Sequence, residues 1–191
     1  MTVRSRGLAA LPALAMLVSC STGPTSSSAS PSADLERLRA QAALAPCPPG
    51  VALDLPALSL PCLDGRGDIA VATAPQRPQL VNFYNALCAP CQKEFPLLTA
   101  YEQRPNAIAI VGVDAQDTEE TALAFARDFQ ARWPVVLDTD GRLFRQYAGG
   151  WPVTIAVRPN GSLAGSPHVG AFKSVAEIEA FALQATAESA R

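Results

Sequence analysis

The stretch Leu80-Val81-Asn82-Phe83-Tyr84-Asn85-Ala86-Leu87-Cys88-Ala89-Pro90-Cys91-Gln92-Lys93-Glu94-Phe95-Pro96-Leu97-Leu98 decides the fold. Its first part is an apolar, β-prone run and reads as a buried strand. Its second part reads as a helix carrying Phe95, Leu97 and Leu98, with Pro96 expected to kink it. Cys88 and Cys91 sit at the junction with two residues between them. A cysteine at a helix start faces unpaired backbone N–H groups and the positive end of the macrodipole, and both stabilise a thiolate. Cys88 is therefore the candidate nucleophile. Cys91 lies about one turn further on, near enough to close a small disulfide ring. Thiol–disulfide exchange needs an exposed thiolate and a second thiol that resolves the mixed disulfide, and this pair supplies both. Pro90 stiffens the turn, and Ala89 is small enough to leave the sulfur open.

Downstream, residues 107–114 form a continuous apolar run, as expected of a central parallel strand. Thr118 can cap a helix reaching about residue 132, with Ala122, Phe125 and Phe129 on one face. Residues 134–138 read as another short strand, and Asp140-Gly141 turns into a brief helix carrying Leu143, Phe144 and Tyr147. Gly149-Gly150-Trp151-Pro152 leads into a strand at 153–157, and Pro159-Asn160-Gly161 makes a turn. Residues 162–170 are expected to return as an antiparallel edge strand, and Ser174 to cap a last helix through about residue 187. Strands alternating with helices, then a hairpin and a final helix, fit an α/β sandwich with a mixed central sheet flanked by helices.

Upstream, Cys47-Pro48-Pro49 and Leu60-Pro61-Cys62 flank an extended, proline-rich segment. The chain holds five cysteines: Cys20, Cys47, Cys62, Cys88 and Cys91. An odd count in an exported protein requires one cysteine to be explained separately. Cys20 is assigned to lipidation, Cys88 and Cys91 to redox chemistry, and Cys47 with Cys62 to a second disulfide. That second bond would staple the N-terminal extension to the domain, contributing ~3 kcal/mol in the chain-entropy model. Two free thiols are the alternative. A zinc site shared with Cys88 and Cys91 is a poorer one, because the second pair lacks the short spacing of zinc ribbons.

Residues 1–19 read as a signal peptide: Arg4 and Arg6, then an apolar run shorter than the about 20 residues a spanning helix needs. The run ends Leu17-Val18-Ser19-Cys20, which resembles a bacterial lipobox with cleavage before Cys20 and lipid on its sulfur. Residues 20–45 are then a tether rich in Ser, Thr, Pro and Ala, with a short amphipathic helix at 34–45, and residues 46–191 the folded domain. Without Arg4 and Arg6, the formal charge moves from −2 to −4. Such mild acidity, with no clustered Lys or Arg, gives no electrostatic footprint for nucleic acid or for a polybasic membrane patch.

Asn82-Phe83-Tyr84, Cys88-Ala89-Pro90-Cys91, Phe95-Pro96, Tyr147 with Gly150-Trp151-Pro152-Val153-Thr154, and Asn160-Gly161 resemble, in this order, the thioredoxin superfamily. More closely, they resemble its membrane-anchored TlpA/ResA-like (AhpC/TSA–Redoxin-type) thiol:disulfide oxidoreductases. The resemblance spans residue 55 to the C-terminus. It implies a thioredoxin-like fold and an extracytoplasmic enzyme that needs no metal, flavin or nucleotide beyond its redox-active disulfide. It implies clients among exported protein thiols and disulfides, with apocytochrome c a candidate, and recharging by a CcdA-like membrane reductase. The lipid anchor would hold the protein, expected to be a monomer, at the outer face of the cell membrane. Pro152 matches the family's cis-proline facing the cysteines, which makes Ala89, Pro90, Trp151 and Pro152 the candidate client-binding residues. Leu87 stands where relatives often carry Trp, and Trp151 where smaller residues are usual. Asn82 stands where thioredoxins have a buried Asp assisting the resolving thiol. Asn cannot take a proton, so Asp114 or Glu94 are candidates for that task, and the plainer role for Asn82 is a bond to backbone.

Two rival classes remain open at this level. A copper metallochaperone would use Cys88, Cys91 and His168, since thiolates suit Cu(I). A non-catalytic lipoprotein would keep Cys88–Cys91 as a structural bond. A peroxidase fits poorly, because Asn85 occupies the place where peroxidatic sites usually have Thr or Ser.

Overall fold

A computed structural model of the chain describes residues 2, 31–147 and 149–187. The signal-peptide and Cys20 assignments lie outside the described residues. A small hairpin comprises β1 (Ser59–Pro61) and β2 (Asp68–Ala70); the main sheet comprises β3 (Gln79–Tyr84), β4 (Ala109–Ala115), β5 (Val135–Asp138), β6 (Val153–Val157) and β7 (His168–Val169). Across the main sheet the neighbours run β5-β4-β3-β6-β7.

β3 is parallel to β4, and β4 to β5; β6 is antiparallel to β3. The parallel steps are made through α2 (Ala89–Glu102) and α3 (Glu119–Asp128). Right-handed crossovers moving in one direction put both helices on one face. α4 (Val175–Thr186) joins them there, and Leu80, Tyr84, Phe95, Leu98, Phe125 and Ile178 share one buried cluster. Gly112 makes this packing possible: a Cβ there would come within 3.1 Å of the Tyr84 ring and 3.3 Å of Trp133 Nε1. The opposite face carries Val81, Phe83, Val111, Val113 and Ile155, covered by Val51, Ala52, Leu55 and Phe144. Central strands are buried on both faces, which is why they read as unbroken apolar runs.

The N-terminal helix α1 (Pro31–Ala42) corrects the expected boundary. It starts and ends earlier than 34–45, and it stops at Ala42 because Ala43 adopts a left-handed conformation at φ 50°. It also docks: Ala42 is fully buried, Leu35 and Leu38 pack on the same core as α3, and Ala45 N–H donates to Arg132 O. The folded unit therefore includes residues 31–45, which the sequence reading placed in the tether.

The edge strand is a second correction. Pairing is confined to His168 and Val169 against Val153 and Thr154, with an isolated bridge at Leu163–Val157. Gly165, at φ 76°, and Pro167, which lacks an N–H, interrupt the ladder between them. Thr118 caps α3 and Ser174 caps α4 through their hydroxyls, as their sequence positions suggest.

Candidate active site

The site is built where β3 hands over to α2. Cys88 is the N-cap of α2, with extended backbone, and its sulfur accepts from Cys91 N–H at 3.1 Å. Pro90 lies in the first turn, where its missing N–H leaves no bond unmade. Cys88 and Cys91 are joined as a disulfide, with a Cα–Cα separation of 5.2 Å. Cys88 is half-buried beside exposed Leu87 and Ala89, whereas Cys91 is fully buried. The two sulfurs thus differ in access as the chemistry of attack and resolution requires.

The loop before Cys88 is clamped on several sides. Asn85 Nδ2 donates to Ala115 O at 2.9 Å, and Asn85 Oδ1 accepts from Leu87 N–H at 2.9 Å. Ala86 N–H donates to Asp117 Oδ2 at 2.7 Å, and Gln92 Nε2 donates to Ala86 O at 2.8 Å. The backbone leading into the nucleophile is therefore fixed by β4, the loop before α3, and α2 together.

Beneath Cys91 lies a buried polar cluster. Glu94 is fully buried and sits one turn along α2 from Cys91, on the same helix face. Its Oε1 accepts from Phe172 N–H at 3.0 Å and its Oε2 from Asn82 Nδ2 at 3.1 Å. Asn82 also donates to Thr154 Oγ1 at 2.9 Å. Asn82 therefore binds side chains rather than backbone, contrary to the plainer expectation. Desolvation pushes the Glu94 carboxyl up to about 7, against the pull of the Phe172 and Asn82 donors. A carboxyl titrating there can hold or release a proton at neutral pH. Of the two carboxylates considered for proton transfer, Asp114 faces Tyr84 and Asp117 instead.

Pro152 follows a cis peptide bond from Trp151 and is buried; pairing of Val153 with Phe83 places it beside the end of β3, where the active-site loop begins. Trp151 stacks on Phe144 with ring centroids 3.6 Å apart and planes 7° off parallel. Val169, 52% exposed, lies against Gly149 and Gly150, and Leu87, 86% exposed, precedes Cys88. Ala89 and Pro90 stand at the same helix start, Pro90 exposed. His168 stacks on the Phe172 ring at 4.0 Å. Among the described residues, no three His, Cys, Asp or Glu side chains converge in a way that could hold a metal ion.

Cys47 and Cys62 are joined as a second disulfide, with 15 residues of sequence separation. Cys62 pairs as an isolated bridge with Val136 of β5, and Leu63 N–H donates to Val135 O. This bond therefore ties the N-terminal segment to the edge of the main sheet, away from α2.

The AhpC/TSA family model matches residues 51–165, which includes β3, both site cysteines and Pro152. The chain belongs to the AhpC/TSA family. It is 30% identical over 86 residues to the thiol-disulfide oxidoreductase ResA of Bacillus subtilis (strain 168), a match covering 44% of this chain and 48% of ResA. The ResA of Bacillus anthracis is 23% identical over 86 residues, covering 44% of this chain and 50% of that protein. The chain thus spans about half the length of the relatives it matches. Among solved structures, a secreted Mycobacterium tuberculosis disulfide oxidoreductase homologous to E. coli DsbE superposes with a TM-score of 0.56 at 18% identity, covering 69% of this chain and 96% of that one. StoA from Bacillus subtilis superposes with a TM-score of 0.54 at 18% identity, covering 66% and 98%. These likenesses show the thioredoxin-like fold.

Sequence reasoning left Glu94 as one of two candidates, named Thr154 only as part of a motif with no role of its own, and did not find Asp117. For Glu94 a signal existed, since a carboxylate three positions after Cys91 must share its helix face. Thr154 and Asp117 reach the site only through sheet register and a loop, which spacing does not disclose.

Proposed function

We propose that the protein is an extracytoplasmic thiol:disulfide oxidoreductase acting on exported proteins through Cys88 and Cys91. The observation that carries this reading is the asymmetry of the pair: one sulfur accessible at a helix N-terminus, the other buried one turn above a titrating carboxyl.

In the reducing direction, the Cys88 thiolate attacks one sulfur of a client disulfide. The Cys88–client bond forms, the client S–S bond breaks, and the departing client thiolate takes up a proton. Cys91 then gives its proton to Glu94 and attacks Cys88 Sγ. The Cys88–Cys91 bond forms, and the second client thiolate leaves and is protonated. Two electrons pass to the client, whose disulfide is reduced while the enzyme pair is oxidised. The reverse sequence oxidises a client dithiol. Ala89 and Pro90 leave the sulfur open to a client chain. Trp151 and Pro152, set beside the end of β3 by the pairing of Val153 with Phe83, would supply the facing wall, and exposed Leu87 and Val169 would offer apolar contact to a client.

The resemblance to ResA supports a reducing role, with apocytochrome c among the clients and a CcdA-like membrane protein as electron donor. It also supports anchoring through a lipid on Cys20. No helix among the described residues is long and apolar enough to cross a membrane. Stacking of His168 on Phe172 ties that ring to the core and gives the copper reading no support. The test is Cys91→Ala in growing cells. Disulfide-linked adducts on Cys88, identified by mass spectrometry, are expected. Their absence, together with resistance of the Cys88–Cys91 bond to dithiothreitol in the folded protein, would leave a structural disulfide only.

A further inference from the structure

A second buried acid lies under the loop that presents Cys88, and the exchange steps do not use it. Asp114 is fully buried at the carboxyl end of β4, paired in register with Tyr84 of β3. Neither of its oxygens makes a well-formed hydrogen bond, and the Tyr84 hydroxyl and Trp133 Nε1 are also buried without partners. The titratable groups acting on it are Asp117, from the loop before α3, and Tyr84. The ring of Phe125 from α3 stacks on Tyr84, and Phe95 from α2 meets Tyr84 edge-on, so those elements bring apolar surface. Asp138, on β5, takes its bonds from the N–H groups of Arg142, Leu143 and Phe144 and does not join the cluster. Two carboxyl groups that act on each other inside a core cannot both ionise without strong repulsion. Asp117 is the one with a task at the site, since its Oδ2 holds Ala86 N–H, two residues before Cys88.

We propose that Asp114 is a positioning residue for the nucleophile: as a neutral acid it donates its proton toward Asp117, so that Asp117 keeps its hold on Ala86 and fixes the loop that presents Leu87 and Cys88. Desolvation, reinforced by Asp117, pushes the Asp114 carboxyl up to about 9, which keeps it neutral through the physiological range. Loss of the proton would set two carboxylates against each other directly beneath the loop, and the Ala86 anchor would give way. This inference rests on reading Cys88 as the attacking sulfur.

The test follows reduction of a small aromatic disulfide by the dithiol protein from pH 7 to 10.5. In the natural protein the rate should rise as thiolate forms, then fall. One unit above a midpoint near 9, it should be at roughly a tenth of its maximum, because ionised Asp114 then outnumbers neutral by about ten to one. Asp114→Asn, whose amide is a permanent donor, should lose the alkaline fall while keeping the rising limb. A shift of the Ala86 amide proton in the natural protein, with the same midpoint, supports the same device without any variant. An alkaline fall unchanged in Asp114→Asn, or an Ala86 amide indifferent to pH between 8 and 10, overturns the inference and leaves the Cys88 assignment standing. A rate indistinguishable from that of Cys88→Ser overturns both.

Discussion

The two disulfides join the same atoms in opposite surroundings. Cys88–Cys91 closes a ring within one helical turn, at the positive end of α2, with one residue half-buried and the other fully buried. Cys47–Cys62 closes a longer loop between an extended segment and the edge of β5, with Cys62 nearly sealed. Chain entropy favours the second as a staple, because a longer loop costs the unfolded chain more freedom when it is closed. Electrostatics and access favour the first as a reagent, because a helix N-terminus stabilises the thiolate released when the bond opens. Bond type therefore says little about role; the helix end, the more accessible sulfur and the buried carboxyl decide it.

The sharpest way to break this contrast is to remove one sulfur from each bond. Cys88→Ser should reduce disulfide exchange to the uncatalysed background, with the fold retained by circular dichroism. Cys47→Ser should leave the exchange rate at the natural level and cost ~3 kcal/mol of stability, or roughly 6–12 °C in thermal midpoint for a chain of this size. Exchange lost equally in both variants would erase the distinction.

Next in size is the carboxyl beneath Cys91. Glu94→Gln should slow resolution of a Cys88 mixed disulfide by about 100-fold, the usual worth of a positioned acid–base group. The natural protein's rate should also show an inflection near pH 7 that the variant lacks, since the Glu94 carboxyl is held at about 7 by desolvation. A stopped-flow pH profile of both proteins checks this. A slowed variant that keeps the inflection would assign the proton transfer elsewhere.

A smaller effect follows from linkage. Glu94 and Asp114 both have folded-state values above their ordinary ones, about 7 and about 9. The folded state then binds more protons than the unfolded one, and stability falls as pH rises. The contribution is complete below the ordinary carboxylate range, declines through pH 7 as Glu94 ionises, and continues to decline toward pH 9 through Asp114. Thermal midpoints of the oxidised protein should fall steadily from about pH 5 to about pH 9, and less steeply in Asp114→Asn. A rising midpoint would contradict both burial arguments.

Much of this was legible in the sequence because the informative features are local. The strand at 79–84, the cysteines at the start of α2, the caps Thr118 and Ser174, and the fully buried parallel strands follow from runs and spacings of a few residues. Features set by distant segments were not legible. α1 reads as a short helix within the tether, and its docking stays hidden, because the apolar face of Leu35, Leu38, Ala42 and Ala45 is too small to predict a partner without α3 in place. The edge strand reads long because Gly165 and Pro167 stop the ladder only once their backbone geometry is known. Asn82 reads as a backbone partner because Glu94 and Thr154 come from different elements, and only the register of β3 with β6 and the docking of α2 bring them together.

The central contrast is between an activated sulfur and an inert one, and alkylation of the reduced protein by iodoacetamide from about pH 4 to about pH 10 measures it at Cys88 directly. The account predicts a midpoint for Cys88 well below the ~8.5 of an ordinary cysteine, with Cys91 unreactive until the chain unfolds. A Cys88 midpoint at or above the ordinary value, or Cys91 alkylated first, would contradict it.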